Sequence, residues 1–262
     1  MFNKLYEVAS TACGLITVFL DGEQISSGTG FAINPEGEVL TAAHVVTGRF
    51  PIRHEDYTCP GLQIFCKFPG HPVIEFSVVF CGITIAVTGL SRPLQIDLAS
   101  LRPTRALSQP VPFLRACILP PRLGDRVFVA GYSDEQTVPF EVNRFLPGGG
   151  KGVAEFLAAM EKGYMADMTG PLIKAGFVGN LRRSVAEGAA GSIECEVFYV
   201  DNSVHSGASG GPILNENGDA VGVITQRAIT SVSQPEFPRL NIPSGCTVGI
   251  GLQPLAFVAA RN

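Results

Sequence analysis

The sequence predicts an all-β chain, and three observations carry that expectation. Its 262 residues include 30 glycines and 19 prolines, turn formers in the number that many short strands need. The apolar residues fall into short β-branched and aromatic runs rather than long amphipathic stripes. Helical periodicity is clear over one stretch only, residues 153–162.

In chain order, residues 5–12 give a helix-like start. The runs at 15–20, 30–33, 38–40, 74–80 and 83–87 read as strands of a first unit, and those at 126–130, 193–200, 212–214 and 220–225 as strands of a second. Asn34-Pro35-Glu36-Gly37 and Asn215-Glu216-Asn217-Gly218 read as turns between strands. Residues 102–112 carry Pro103, Pro110 and Pro112 and read as a linker, which divides the chain into residues 1–108 and 109–262. Gly148, Gly149 and Gly150, with the helix 153–162 closed by Gly163, read as a helical insertion in the second unit, near 147–168. Its Phe156, Leu157 and Met160 are expected to pack on their own domain.

Composition narrows the function classes. With 46% hydrophobic and 16% charged residues and a mean hydropathy of +0.27, the chain can bury a core, which excludes disorder. Acidic residues outnumber basic ones, 23 to 19, for a formal charge of -4, so no basic field exists to hold a nucleic-acid backbone and no nucleic-acid partner is expected. Seven cysteines, at 13, 59, 66, 81, 117, 195 and 246, lack disulfide-framework spacing; most are expected to be small buried hydrophobes, in a reducing compartment. The first residues carry Lys4 and Glu7 and do not read as a signal peptide. The longest apolar run, residues 78–90, is too short to span a bilayer. A cytoplasmic chain without membrane contact is the expectation; oligomeric state is not legible.

The strongest chemical signal is Gly207-Ala208-Ser209-Gly210-Gly211-Pro212. Small neighbours let a substrate carbonyl approach the serine closely, but a hydroxyl is a poor nucleophile without a base. Four histidines are available, His44, His54, His71 and His205. His44, after Leu40-Thr41-Ala42-Ala43 at the end of an apolar strand, suits a base with one open side; His54 and His71 lie in a polar loop region. A lone histidine there would ordinarily be a satisfied structural side chain, and the pairing with the serine motif reverses that reading. The imidazole needs a carboxylate to fix its tautomer. Asp97, in Gln95-Ile96-Asp97-Leu98-Ala99, is enclosed by apolar residues; Asp56, Asp125, Asp134 and Asp167 read as solvated, and Asp201 is the competitor. Gly-x-Ser-x-Gly also matches the nucleophile elbow of α/β hydrolases, but that fold places its histidine after the serine, and none follows Ser209.

With Gly28-Thr29-Gly30-Phe31-Ala32-Ile33, the His44 segment, Asp97-Leu98-Ala99 and the Ser209 segment in this order, the chain resembles the trypsin-like serine peptidases of the chymotrypsin fold, nearest the bacterial Deg/HtrA-like branch, over roughly residues 8–230. The resemblance implies two six-stranded antiparallel β-barrels with the site between them. It also implies a serine endopeptidase with polypeptide substrates: His44 as general base, Asp97 as its orienter and Ser209 as nucleophile, with the backbone N–H groups of Gly207 and Ser209 forming the oxyanion hole. By similarity, Ser203, Thr225, Gln226 and Arg227 line the substrate pocket. Ser203 carries no charge, so small or medium uncharged residues are expected beside the cut bond, with Arg227 leaving an acidic preference open.

One departure concerns Ala208, where trypsin's close relatives carry an Asp that pairs with a new N-terminal amine; that switch is absent here. The residues after the last strand are too few for a PDZ domain, so a protease domain alone is expected. A catalytically silent binding module and a chymotrypsin-fold esterase remain as alternatives. His54, Cys59, Cys66 and His71 could be drawn as a zinc set, but the six-residue gap between the cysteines is wide for a structural site, and a loop with buried thiols is preferred. Gly150-Lys151-Gly152 lacks the Ser or Thr of a phosphate loop. No metal and no cofactor are expected.

Overall fold

The computed structural model describes residues 2–85, 94–133, 152–164, 166–188, 191–204, 206–232 and 240–259. His205, Asp134, Lys151 and the three consecutive glycines lie outside them, as does the end of the apolar run at 86–90.

Twelve strands close into two antiparallel barrels. The first contains β1 (Cys13–Leu20), β2 (Glu23–Ala32), β3 (Val39–Thr41), β4 (Leu62–Lys67), β5 (Val73–Ile85) and β6 (Leu94–Pro103), ordered β1-β2-β3-β6-β5-β4. The second contains β7 (Arg126–Gly131), β8 (Leu172–Gly188), β9 (Gly191–Val200), β10 (Pro212–Leu214), β11 (Ala220–Val232) and β12 (Leu240–Gly251), ordered β10-β11-β12-β9-β8-β7. Closure pairs each of these strands on both sides and so leaves no open sheet edge among them. Inward side chains such as Ile16, Val18, Leu40, Ile64 and Leu101 fill the first barrel, and Val129, Phe198, Ile213 and Ile224 the second.

The run at 74–80 and the described part of the run at 83–87, as far as Ile85, belong to one strand, β5, which stays paired with β6 through register shifts on either side of Cys81. Gly82, at φ +69, supplies the conformation that such a bulge requires. The helix-like start is α1 (Asn3–Ala12); its apolar side, Leu5, Ala9 and Ala12, is buried, and Phe2 and Tyr6 pack on the Phe128 ring of the second barrel.

Between β6 and β7 the chain is stitched to both barrels. The N–H groups of Val111 and Leu114 donate to Pro35 and Ala32, and that of Cys117 to Ala220, whose own N–H donates to Arg115. The Arg115 guanidinium grips both carboxylate oxygens of Asp219 at 2.7 and 2.9 Å. That pairing holds the Asp219 carboxyl below the usual carboxylate range, against a smaller upward push from burial.

The predicted helix divides into Val153–Ala159 and a wider turn, Met160–Tyr164, that is kinked at Gly163 with φ +98. Although it follows β7, this segment crosses to the first barrel. Lys67 of β4 is 1% exposed and donates to Asp167 at 2.6 Å and to the Phe68 carbonyl, beneath the Tyr164 ring. Asp167 is therefore an ion-pair partner rather than a solvated charge. Among the described residues no helix is long and apolar enough to cross a membrane.

Candidate active site

His44 lies in the first turn of the short helix α2 (Ala43–Thr47), not at a strand end. The small residues Ala42 and Ala43, both fully buried, let the chain turn sharply from β3 into the barrel wall, and Gly48 in the left-handed region ends the helix after five residues. Asp97 comes from β6, which pairs with β3, so the register of this pair sets the separation of the two side chains. Its Oδ1 accepts from the His44 backbone N–H at 2.9 Å and its Oδ2 meets His44 Nδ1 at 2.7 Å. One carboxylate thus anchors both the helix start and the ring. A neutral imidazole with its Nδ1 proton on a carboxylate has a free lone pair at Nε2. Beneath it, Cys81 approaches the Ala43 carbonyl at 3.6 Å; burial, with the charges of Asp97 and Asp56, pushes its thiol up to about 12.

Ser209 sits in the loop before β10. Gly210 (φ +86) and Gly211 leave no room for a side chain: a Cβ on Gly210 would lie 2.1 Å from the Thr29 carbonyl oxygen and 2.2 Å from Thr41 Oγ1. The loop therefore presses against the first barrel two residues short of Ala43. The N–H of Thr29 donates to the Ser209 carbonyl at 2.8 Å. Gly28 fills the gap beside it, since a Cβ there would meet Val45 at 2.7 Å and the Ser209 oxygen at 3.0 Å. Val45 is the neighbour of His44, so His44 and Ser209 belong to facing walls of one contact.

The Ser209 hydroxyl donates to the Thr225 carbonyl at 3.4 Å; among the described residues no hydrogen bond joins it to His44. The N–H groups of Gly207 and Ser209 have no hydrogen-bond partner among the described residues, whereas those of Gly210 and Gly211 donate to Ile224 and Ala208. Ala208 is 1% exposed, and its Cα and Cβ fill the space beside Gly131. A carboxylate at this position would be buried without room for its partner.

The remaining expected residues are spread around this loop. Thr225 is buried, with its hydroxyl on the Val248 carbonyl; Gln226 is exposed. Arg227 pairs through its backbone with Thr247 of β12. Ser203 is half-buried and accepts from Lys174 Nζ at 2.9 Å through its carbonyl. Thr247 fixes the same segment, donating to the Asn202 carbonyl and accepting from the Val204 N–H. Lys174 and Thr247 were not legible in the sequence, because nothing local links them to residues 202–204.

The other carboxylates serve elsewhere. Asp201 accepts from the Phe177 N–H at 2.6 Å, Asp125 from the Arg122 N–H, and Asp56 pairs with Arg49 and accepts from the Arg53 N–H. His54 lies against Tyr57 and His71 near Gln109. Cys66 is buried in β4, opposite Ile16 and Ile74. Among the described residues no three His, Cys, Asp or Glu side chains gather as a metal set.

The family described as a trypsin-like peptidase domain matches residues 28–223, which span the segments of His44, Asp97 and Ser209. The chain belongs to that family. Among solved structures this trypsin-like peptidase is similar to the Rv3671c protease from M. tuberculosis. The active form superposes with a TM-score of 0.54 at 18% identity, covering 98% of this chain and 83% of the other. The inactive form gives 0.55 at 19%, covering 99% and 92%. At this identity the likeness concerns the fold, and it extends to both barrels. Among curated proteins the chain has no significant match.

Proposed function

We propose that this peptidase domain is a serine endopeptidase that cleaves peptide bonds through an acyl-enzyme on Ser209. The observation that carries the reading is the Asp97–His44 pair, bonded at Nδ1, on the wall that receives the Ser209 carbonyl. Its chemistry is directional. Ser209 leaves the Thr225 carbonyl by rotation about χ1, passes its proton to His44 Nε2 and attacks the substrate carbonyl carbon. The N–H groups of Gly207 and Ser209, without partners among the described residues, then receive the oxyanion. Asp97 stabilises the imidazolium, which returns the proton to the leaving amine, and water repeats the sequence on the ester.

In this reading Ser203, Thr225, Gln226 and Arg227 border the pocket for the residue preceding the cut. A neutral Ser203 disfavours Lys and Arg there. A peptide library measures this directly, and dominant cleavage after Lys or Arg would contradict it.

One observation favours a second reading, a silent module that keeps the barrels for binding: the Ser209 hydroxyl is engaged by Thr225 rather than by His44. A fluorophosphonate probe separates the two. Labelling that disappears in Ser209→Ala supports the enzyme, while a chain that stays unlabelled across pH 6 to 9 is the binding module.

A further inference from the structure

The motif Gly28-Thr29-Gly30 has no role in the chemistry above, yet Thr29 donates two hydrogen bonds to the nucleophile loop. It is fully buried in β2 of the first barrel. Its N–H donates to the Ser209 carbonyl at 2.8 Å and its hydroxyl to the Gly207 carbonyl at 2.8 Å. The same hydroxyl accepts from the Tyr132 N–H at 2.9 Å, and its carbonyl accepts from Thr41 Oγ1 at 2.7 Å. Every polar group of the residue is used.

Peptide-plane geometry makes these bonds specific, because a plane held at its carbonyl cannot turn its N–H freely. The plane joining Ser209 to Gly210 is fixed twice, by Thr29 at the carbonyl and by Ile224 at the N–H. The plane joining Ala208 to Ser209 is held at its carbonyl by Gly211. The plane joining Gly207 to Ala208 has one hydrogen-bonding tie among the described residues, the Thr29 hydroxyl. That plane lies between the two that carry the free N–H groups of Gly207 and Ser209.

We infer that Thr29 is a positioning residue whose hydroxyl, rather than its bulk, sets the orientation of the Gly207 and Ser209 N–H groups. The inference rests on the serine-peptidase reading, in which those groups hold the oxyanion. Thr29→Val keeps the shape and the backbone bond to Ser209 but leaves the Gly207 carbonyl without its donor and the Tyr132 N–H without its acceptor. Thr29→Ser keeps the hydroxyl and removes the methyl.

Two measurements test it, with Ile64→Val as a core variant of ordinary destabilisation. In amide exchange, the hydrogen-bonded amides of the loop, Gly210 and Gly211, should exchange about tenfold faster in Thr29→Val than in wild type, the loss expected for one buried hydrogen bond to the loop. Thr29→Ser should match wild type. In steady-state cleavage, Thr29→Val should lower kcat by about 10- to 100-fold with KM within about twofold, the signature of an interaction made in the transition state. Thr29→Ser should restore kcat, and Ile64→Val should keep it. Unchanged exchange in Thr29→Val overturns the inference. So does a Thr29→Ser variant as impaired as Thr29→Val, or a kcat loss no larger than that of Ile64→Val. Where Thr29→Val does not fold, Thr29→Ala removes the same hydroxyl and is read in the same way. An unlabelled wild-type chain sinks the peptidase reading alone, since the exchange comparison still reads whether the hydroxyl orders the loop.

Discussion

The two halves of the proposed catalytic site are built by different means. In the first barrel, the half assigned to the base is two side chains locked to each other, Asp97 clasping both the ring and the backbone N–H of His44. In the second, the half that carries Ser209 is a run of backbone held from both sides, by Ile224 of its own barrel and by Thr29 of the other, with Thr41 packed against Gly210. The difference teaches that the base half is preset by strand register within one barrel, while the nucleophile half depends on the two barrels being pressed together. Chemistry should therefore be lost by side-chain changes on one side and by steric or backbone changes on the other.

The largest expected effect breaks both halves at their reacting atoms. Ser209→Ala and His44→Ala should each lower kcat by about 10⁴- to 10⁶-fold with little change in melting temperature, read by peptide cleavage and thermal unfolding. Next comes the orienter alone: Asp97→Asn should cost about 10⁴-fold in kcat, because an amide that donates to Nδ1 favours the wrong tautomer. If that variant kept wild-type activity, the base half would not be the preset unit described here.

On the other side, Gly210→Ala should destabilise the fold by more than about 3 kcal/mol, because a methyl at positive φ meets the Thr29 carbonyl and the Thr41 hydroxyl. Denaturant unfolding measures it. A Gly210→Ala chain as stable as wild type would show that the barrels do not hold this loop.

The smallest effect concerns acid. Burial pushes the Asp167 carboxyl up, but the Lys67 ammonium and the Gly70 N–H outweigh it and hold the group below the ordinary carboxylate range. A folded-state value below the unfolded one contributes stability above about pH 4, and that contribution is lost as pH falls through the lower folded value. Asp167→Asn should flatten the acid limb of a melting-temperature profile between about pH 5 and 2 by a few degrees, since the carboxylate is partly exposed. An unchanged limb would mean that the segment carrying Asp167 is held on the first barrel by packing alone.

Much of this arrangement was legible in the sequence, for reasons that also mark where legibility stops. Strands buried on both faces, such as β1 and β10, show themselves by their continuous apolar runs, and the turn at Asn215–Gly218 shows itself by its residues. The 17-residue β8 does not: from Gly179 to Val185 it is almost entirely exposed, so Asn180, Arg182 and Arg183 leave no alternation to read. His44, Asp97 and Ser209 stood out because each is a polar residue among small or apolar neighbours. Thr29 did not, since a threonine in a strand is ordinary until the other barrel's carbonyls are brought to it. Lys67 and Asp167 lie 100 residues apart, and only the fold makes one the answer to the other.

The stitched connector has a last consequence for how the site can move. Swinging one barrel against the other would tear the Arg115–Asp219 fork and the backbone bonds at Ala32 and Ala220 together. Turning the Ser209 hydroxyl about its own bond gives up a single contact of 3.4 Å. The soft coordinate of this site is thus a rotor of one oxygen atom inside a braced frame.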